Sequence, residues 1–198
     1  MIISFEGIDG TGKTTFAKYT QKYLENSGKK VYFTYEPTNS PINVKNLIEE
    51  KLDPLSQALL FMADRVEHIK KIREHLKNKE IVVIDRYVDS TFAYQGSLLV
   101  PLFKSKKKAY DYLDHLYAPF RLDPDFTFLF LVDPQLGSNR VENRTVKEYF
   151  ENIKTLKKVQ EFYIYLSKFR NFMIIDSNRD LDTVWKDVKK YLDIKIIK

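Results

Sequence analysis

Two kinds of apolar pattern alternate along this chain. Short continuous runs read as strands: Met1-Ile2-Ile3-Ser4-Phe5, Lys30 to Tyr35, Ile81 to Ile84, Asp125 to Val132 and Asn171 to Asp176. The run at Ile81 has no polar alternation, as expected of a central parallel strand buried on both faces. Between the runs, apolar residues recur at helical spacing. Phe16, Tyr19, Tyr23 and Leu24 predict a helix closed by Gly28. Leu59, Leu60, Met62, Val66, Ile69, Ile72 and Leu76 predict a long helix introduced by Asp53-Pro54. Further helices are expected over 42–52, 88–94, 106–117, 134–143, 146–169 and 181–192. Strands alternating with helices imply an α/β three-layer sandwich with a central parallel sheet. Its ligand site should lie beyond the carboxyl ends of the strands.

The turn between the first strand and the first helix carries Gly7-Ile8-Asp9-Gly10-Thr11-Gly12-Lys13-Thr14, which fits G-x-x-x-x-G-K-S/T. Glycines there let backbone N–H groups turn inward around phosphate oxygens, and the helix start adds partial positive charge. Lys13 would reach the β- and γ-phosphates, and the Thr14 hydroxyl would ligate Mg²⁺. A chance glycine-rich turn would not need a strand before it and a helix, opening at Thr15, after it. The sequence predicts a protein that binds a nucleoside triphosphate.

Composition narrows the rest. A chain of 198 residues fits one domain, spanning 1–198, with 43% hydrophobic residues to build its core. The absence of cysteine excludes disulfides and thiolate metal sites. No apolar run approaches a membrane span, and the first strand begins at Met1, so a cytoplasmic location without a secretory leader is expected. The net charge of +6 would suit a nucleic acid or an anionic nucleotide. Lysines spread as Lys70-Lys71, Lys157-Lys158 and Lys189-Lys190 read as solvated helix faces, which favours the nucleotide.

A phosphate loop alone does not name a reaction. The discriminating stretch is Asp85-Arg86-Tyr87-Val88-Asp89-Ser90-Thr91-Phe92-Ala93-Tyr94-Gln95-Gly96. Asp85 ends a buried strand, where a carboxylate would hold Mg²⁺ through water. Arg86 follows at the crevice, where its planar fork could bind phosphate oxygens of both a donor and an acceptor; a strand-end ion pair is the structural alternative. This segment closely resembles the D-R-Y/H-x-x-S-x-x-A-Y-Q-G signature of thymidylate kinases. Phe5-Glu6-Gly7-Ile8-Asp9-Gly10, Leu59-Leu60-Phe61-Met62-Ala63-Asp64-Arg65 and Leu122-Asp123-Pro124-Asp125-Phe126-Thr127-Phe128-Leu129 resemble three more blocks of that family, in family order and spacing.

The resemblance implies a P-loop NTPase fold of the nucleoside monophosphate kinase type with a short lid at about 137–147. It also implies Mg²⁺-dependent transfer of the γ-phosphoryl of ATP to dTMP, with Lys13, Arg86, Asp9 and a lid arginine as the catalytic set. Gly7 through Thr15, with Arg140 and Arg144, would hold ATP; Thr14 and Asp85 would hold the metal. Phe61 would stack on thymine and Arg65, one turn later, would bond a base carbonyl. Thr91 and Gln95 would meet the base edge, and Tyr94 would crowd C2′ of the sugar. Asp9 would accept from the acceptor's 3′-hydroxyl, and Glu36 and Lys45 belong to the same pocket. Core packing is the plain alternative for Phe61, although an arginine at i+4 argues against a sealed environment.

Gly10 and Thr11 leave no arginine in the phosphate loop, so the lid must supply one, Arg144 before Arg140. Two departures from the family pattern stand out: Tyr35 replaces an arginine before Glu36-Pro37, and Val146-Lys147-Glu148 replaces an Asp-Arg after the lid. The resemblance further implies a homodimer, with no nucleic-acid or membrane partner. Two rivals stay open. One is a kinase of this architecture acting on another acceptor. The other is a nucleic-acid-binding ATPase or GTPase, although Asn78-Lys79-Glu80-Ile81 lacks the aspartate of a guanine-reading N-K-x-D.

Overall fold

The short apolar runs assemble into one sheet. In the computed structural model, which describes residues 1–40, 42, 44, 47, 52–142 and 153–197, the strands are β1 (Ile2–Glu6), β2 (Val31–Tyr35), β3 (Ile81–Asp85), β4 (Phe126–Leu131) and β5 (Phe172–Asp176). All pair in parallel, in the order β2-β3-β1-β4-β5. Strand β1 is central, with Ile3 opposite Val83 on one side and Phe126 on the other. The chain builds β2 and β3 on one flank of β1 and β4 and β5 on the other. The loop after β1 therefore opens where the winding direction reverses, the crevice that binds ligands in such sheets.

The helices are α1 (Lys13–Asn26), α2 (Pro54–Lys77), α3 (Val88–Phe103), α4 (Lys106–Tyr117), α5 (Pro134–Glu142), α6 (Ile153–Leu166) and α7 (Leu181–Leu192). Alternation along the strands sorts side chains between two helical layers. Ile3, Phe5, Val83, Phe128 and Phe130 pack against α1 and α7 through Phe16, Ala17, Leu24, Val184 and Val188. Ile2, Val82, Ile84 and Leu129 pack against α2, α3, α4 and α6. Phe16 lies flat on Phe130, with ring centroids 5.2 Å apart, so an aromatic stack seats α1 on the sheet directly behind the phosphate loop.

Local signals explain the ends. Asp53 accepts from the Leu55 N–H at 2.8 Å with Pro54 in the first turn, the cap expected for α2. Helix α3 departs from expectation: it continues nine residues past Tyr94, to Phe103. Gly96 is no breaker there. A Cβ at that position would stand 2.7 Å from the Phe162 ring, so glycine marks the close approach of α3 and α6. Pro101 falls in the last turn, just before the helix stops at Lys104. The helix expected over 146–169 is described from Ile153 and ends at Leu166. Most of the helix expected over 42–52 lies outside the described residues. Among them, no helix is long and apolar enough to cross a membrane.

Candidate active site

The phosphate loop folds over the end of β1 as its glycine spacing predicts. Thr11 Oγ1 donates to the Ile8 carbonyl at 2.9 Å. Lys13 Nζ bends back to Asp9 Oδ1 at 3.2 Å and the Ile8 carbonyl at 3.3 Å. Burial and the neighbouring Arg86 charge lower the Lys13 pKa, an effect that Asp9 and Asp85 oppose. Burial alone would raise the Asp9 carboxyl, but Arg86 and Lys13 beside it hold it well below the usual carboxylate range. The loop thus keeps its cations next to one fixed anion.

Gly10 has φ +77°, and a Cβ there would lie 2.0 Å from the Gly137 carbonyl oxygen. Helix α5 is consequently seated directly on the loop, and only glycine meets both the dihedral and the contact. Arg140, from the same helix, donates through Nη1 to the Gly10 carbonyl at 3.3 Å and the Ser177 carbonyl at 2.9 Å. Nothing in the sequence spacing announces this bridge between loop, α5 and the end of β5.

Arg86 begins the next turn. Its backbone is left-handed at φ +63°, unusual for a residue with a Cβ, and its N–H donates to the Phe5 carbonyl at 3.0 Å. The turn aims the guanidinium across the crevice: Nη1 donates to the Gly7 carbonyl at 3.1 Å and Nη2 to Asp9, while the group lies over the Tyr94 ring, 5.1 Å from its centroid. Beside it, Asp85 Oδ1 is buried without a hydrogen-bond partner among the described residues. These residues wall a cleft of about 1140 Å³. It runs from Tyr35, Glu36 and Pro37 past Thr14, Thr15, Asp85 and Arg86 to Arg140, Ser177, Arg179, Asp180, Leu181 and Val184.

On the other side of Arg86, Phe61 and Arg65 stand on α2 while Thr91, Tyr94 and Gln95 stand on α3. Arg65 is sealed, with 1% of its surface exposed. Its Nε donates to Glu36 Oε2 at 3.0 Å and its Nη2 to Thr91 Oγ1 at 2.8 Å. His68 Nδ1 lies 2.8 Å from the other Glu36 oxygen, and its Nε2 lies 2.8 Å from Thr34 Oγ1. An arginine at i+4 therefore does not argue against a sealed environment here, because Glu36 supplies the counter-charge inside. Phe61 is half-buried and Gln95 is buried, its Nε2 without a partner among the described residues. Lys45, Arg144 and the lid residues from 143 onward lie outside the described residues.

Sequence reasoning left Glu6 and His68 without roles. Both are buried polar side chains on the layer facing α2 and α3. For Glu6 there was a legible signal: an acidic residue at the inward end of a strand whose every other position is apolar or small. Its Oε1 accepts the Tyr87 N–H at 2.7 Å, and its Oε2 accepts hydroxyls of Ser90 and Tyr163, at 2.5 and 2.8 Å. Burial and the nearby Asp89 charge push its carboxyl up to about 7.

A phosphate loop at the reversal point of a parallel sheet, with an arginine and a buried carboxylate on its rim, defines a nucleotide-binding α/β protein of the phosphoryl-transfer class. Comparisons with known proteins narrow the class. The sequence profile of the family described as Thymidylate kinase matches residues 5–188. The chain is 36% identical over 199 residues to a protein of Methanosarcina mazei named "Probable thymidylate kinase", covering 97% of this chain and 95% of the relative. Proteins of the same name from Sulfolobus acidocaldarius and Caldivirga maquilingensis are 39% and 34% identical, over 97% and 98% of this chain and 98% and 94% of their own lengths. This chain belongs to the thymidylate kinase family. It is an enzyme, a kinase of nucleotide biosynthesis, and its family implies dependence on ATP and Mg²⁺.

Proposed function

We propose that the enzyme transfers the γ-phosphoryl group of ATP to the 5′-phosphate of dTMP, giving dTDP and ADP. The observation that carries this reading is the placement of Arg86. Its guanidinium spans from the phosphate loop, at Gly7 and Asp9, to Tyr94 on the helix that also holds Thr91 and Gln95. A cation at that seam touches the transferring group from the donor side and the acceptor phosphate from the other. An acceptor phosphate is already a competent nucleophile, so the residues need only align the two anions and neutralise developing charge.

Lys13 and the loop N–H groups bind the donor phosphates. Lys13 and Arg86 lean on Asp9, and donor phosphates would draw both cations from it. Asp9 is then free to accept from the 3′-hydroxyl of the acceptor. Asp85, whose Oδ1 is buried and unpartnered among the described residues, and Thr14, on the cleft wall, suit a hydrated magnesium ion. That ion supplies charge neutralisation to the donor phosphates when bound. Phe61, Thr91, Tyr94 and Gln95 shape the pyrimidine deoxynucleotide pocket. Arg65 and Glu36 act within it as a sealed, charge-balanced pair that orients Thr91. Lys45 supplies the positive charge that Tyr35 cannot.

Arg144, with Arg140, completes the cationic ring from a lid spanning about 137–147 of a single domain, and the chain works as a homodimer. One competition experiment tests the whole reading: dTMP, dUMP, dCMP, dGMP and thymidine are offered as acceptors with ATP and magnesium. dTMP is expected to give the highest kcat/KM. A preference for thymidine over dTMP would sink the assignment, and hydrolysis of ATP indifferent to any acceptor would favour the ATPase rival.

A further inference from the structure

The strain at Arg86 needs a cause. A residue with a Cβ at φ +63° persists only where its surroundings over-determine it. Hydrogen bonds on both sides of the turn do so. On the strand side, the Arg86 N–H is taken by the Phe5 carbonyl. On the helix side, the next N–H, that of Tyr87, points at Glu6 Oε1 at 2.7 Å. The other Glu6 oxygen receives Ser90, in the first turn of α3, and Tyr163, from α6. Ser90 Oγ and Tyr163 Oη are themselves 3.0 Å apart. Ser90 Oγ also lies 3.5 Å from Arg86 Nη1, closing a ring that begins and ends at the arginine.

Glu6 precedes the first glycine of the phosphate loop, so one carboxylate joins loop, arginine turn and α6. We propose that Glu6 is a positioning residue for phosphoryl transfer: its buried carboxylate holds the left-handed turn that aims Arg86 across the crevice, and it shares that hold with Ser90 and Tyr163. It touches neither substrate. The charged and titratable groups around it are Asp89 and Arg86 from α3 and the turn before it, and Tyr163 from α6. The inference rests on the phosphoryl-transfer reading of Arg86 given above.

A merely structural carboxylate would lose stability when altered and leave the chemistry alone. Glu6→Gln keeps the shape, keeps an acceptor for the Tyr87 N–H, and faces hydroxyls that rotate to accept. It should therefore fold. Its kcat is expected to fall about tenfold or more while KM for ATP and for dTMP moves less than about threefold. The decisive readout is a double-mutant cycle with Arg86→Ala: in that background Glu6→Gln should add less than about a twofold loss. Equal losses in both backgrounds would overturn the proposal, as would a wild-type kcat in Glu6→Gln. If Glu6→Gln fails to fold, Ser90→Ala and Tyr163→Phe take its place, each expected to lower kcat only while Arg86 is present. Absence of dTMP phosphorylation by the wild type would instead strike the parent reading, so the two failures are distinguishable.

Discussion

Both faces of the central sheet bury apolar side chains, but only one buries polar groups among them. Behind the sheet, towards α1 and α7, β1 and β4 contribute Ile3, Phe5, Phe126, Phe128 and Phe130 to a dry aromatic layer. In front, the alternate positions of the same strands contribute Ser4, Glu6 and Thr127, and β2 leads Thr34 into Glu36. Each of these polar groups is met from α2, α3 or α6, or from a neighbouring strand: Ser4 by Thr127, Thr127 by Asp89, Glu36 by Arg65 and His68, Glu6 by Ser90 and Tyr163. The difference teaches where specification is concentrated. A dry layer needs volume and tolerates conservative exchange, whereas a satisfied polar layer fixes orientations and fails if one member is removed. On the proposed reading, the acceptor half of the site would sit on the polar-bearing face because direction, more than affinity, is what transfer between two anions requires.

Breaking either face should be costly, with different signatures. Glu36→Ala leaves the Arg65 guanidinium sealed without an anion and should cost about 3–5 kcal/mol, read from urea unfolding, together with a raised KM for dTMP. Phe128→Ala on the dry face should cost a similar amount, about 3–5 kcal/mol, yet leave KM and kcat per folded molecule unchanged. If both variants behave alike in kinetics, the division between faces is wrong.

Arg86→Ala sharpens the comparison. Its expected loss is in turnover, on the order of 10²–10³-fold or roughly 2.7–4 kcal/mol, with little change in the unfolding midpoint. A fall below about tenfold would remove Arg86 from the chemistry.

The gentlest effect per pH unit is a pH dependence of stability. The Glu6 carboxyl is raised from the ordinary 4.5 to about 7 by burial and by Asp89. Across that interval the native state keeps a proton that the unfolded chain has released. Its contribution is full below about 4.5 and declines as pH rises towards 7, by at most about 1.4 kcal/mol per pH unit. Glu6→Gln should flatten this part of the stability profile. At pH 8 it should be no less stable than the wild type, though slower.

Much of the fold was readable because it rests on local rules. Runs such as Ile81 to Ile84 have one plausible home, and the Asp53-Pro54 cap acts within one turn. The glycine loop between strand and helix carried its own context. The reading fell short where partners are distant in sequence. The helix expected over 88–94 runs on to Phe103, and within it Gly96 lets the Phe162 ring approach where a Cβ would collide. Arg65 looked like a sign of solvent until Glu36 was found beside it.

Taken alone, the sequence determined the alternation of strands and helices, the phosphate loop and the family, because these depend on periodicity and on residues close together along the chain. Only the tertiary structure decided that α5 rests on Gly10 through Gly137, that Arg140 ties the loop to Ser177, and that Glu6 stands under the Arg86 turn. Those contacts join residues 37 to 130 positions apart along the chain. Their geometry follows from how sheet and helices pack, and no local pattern records it.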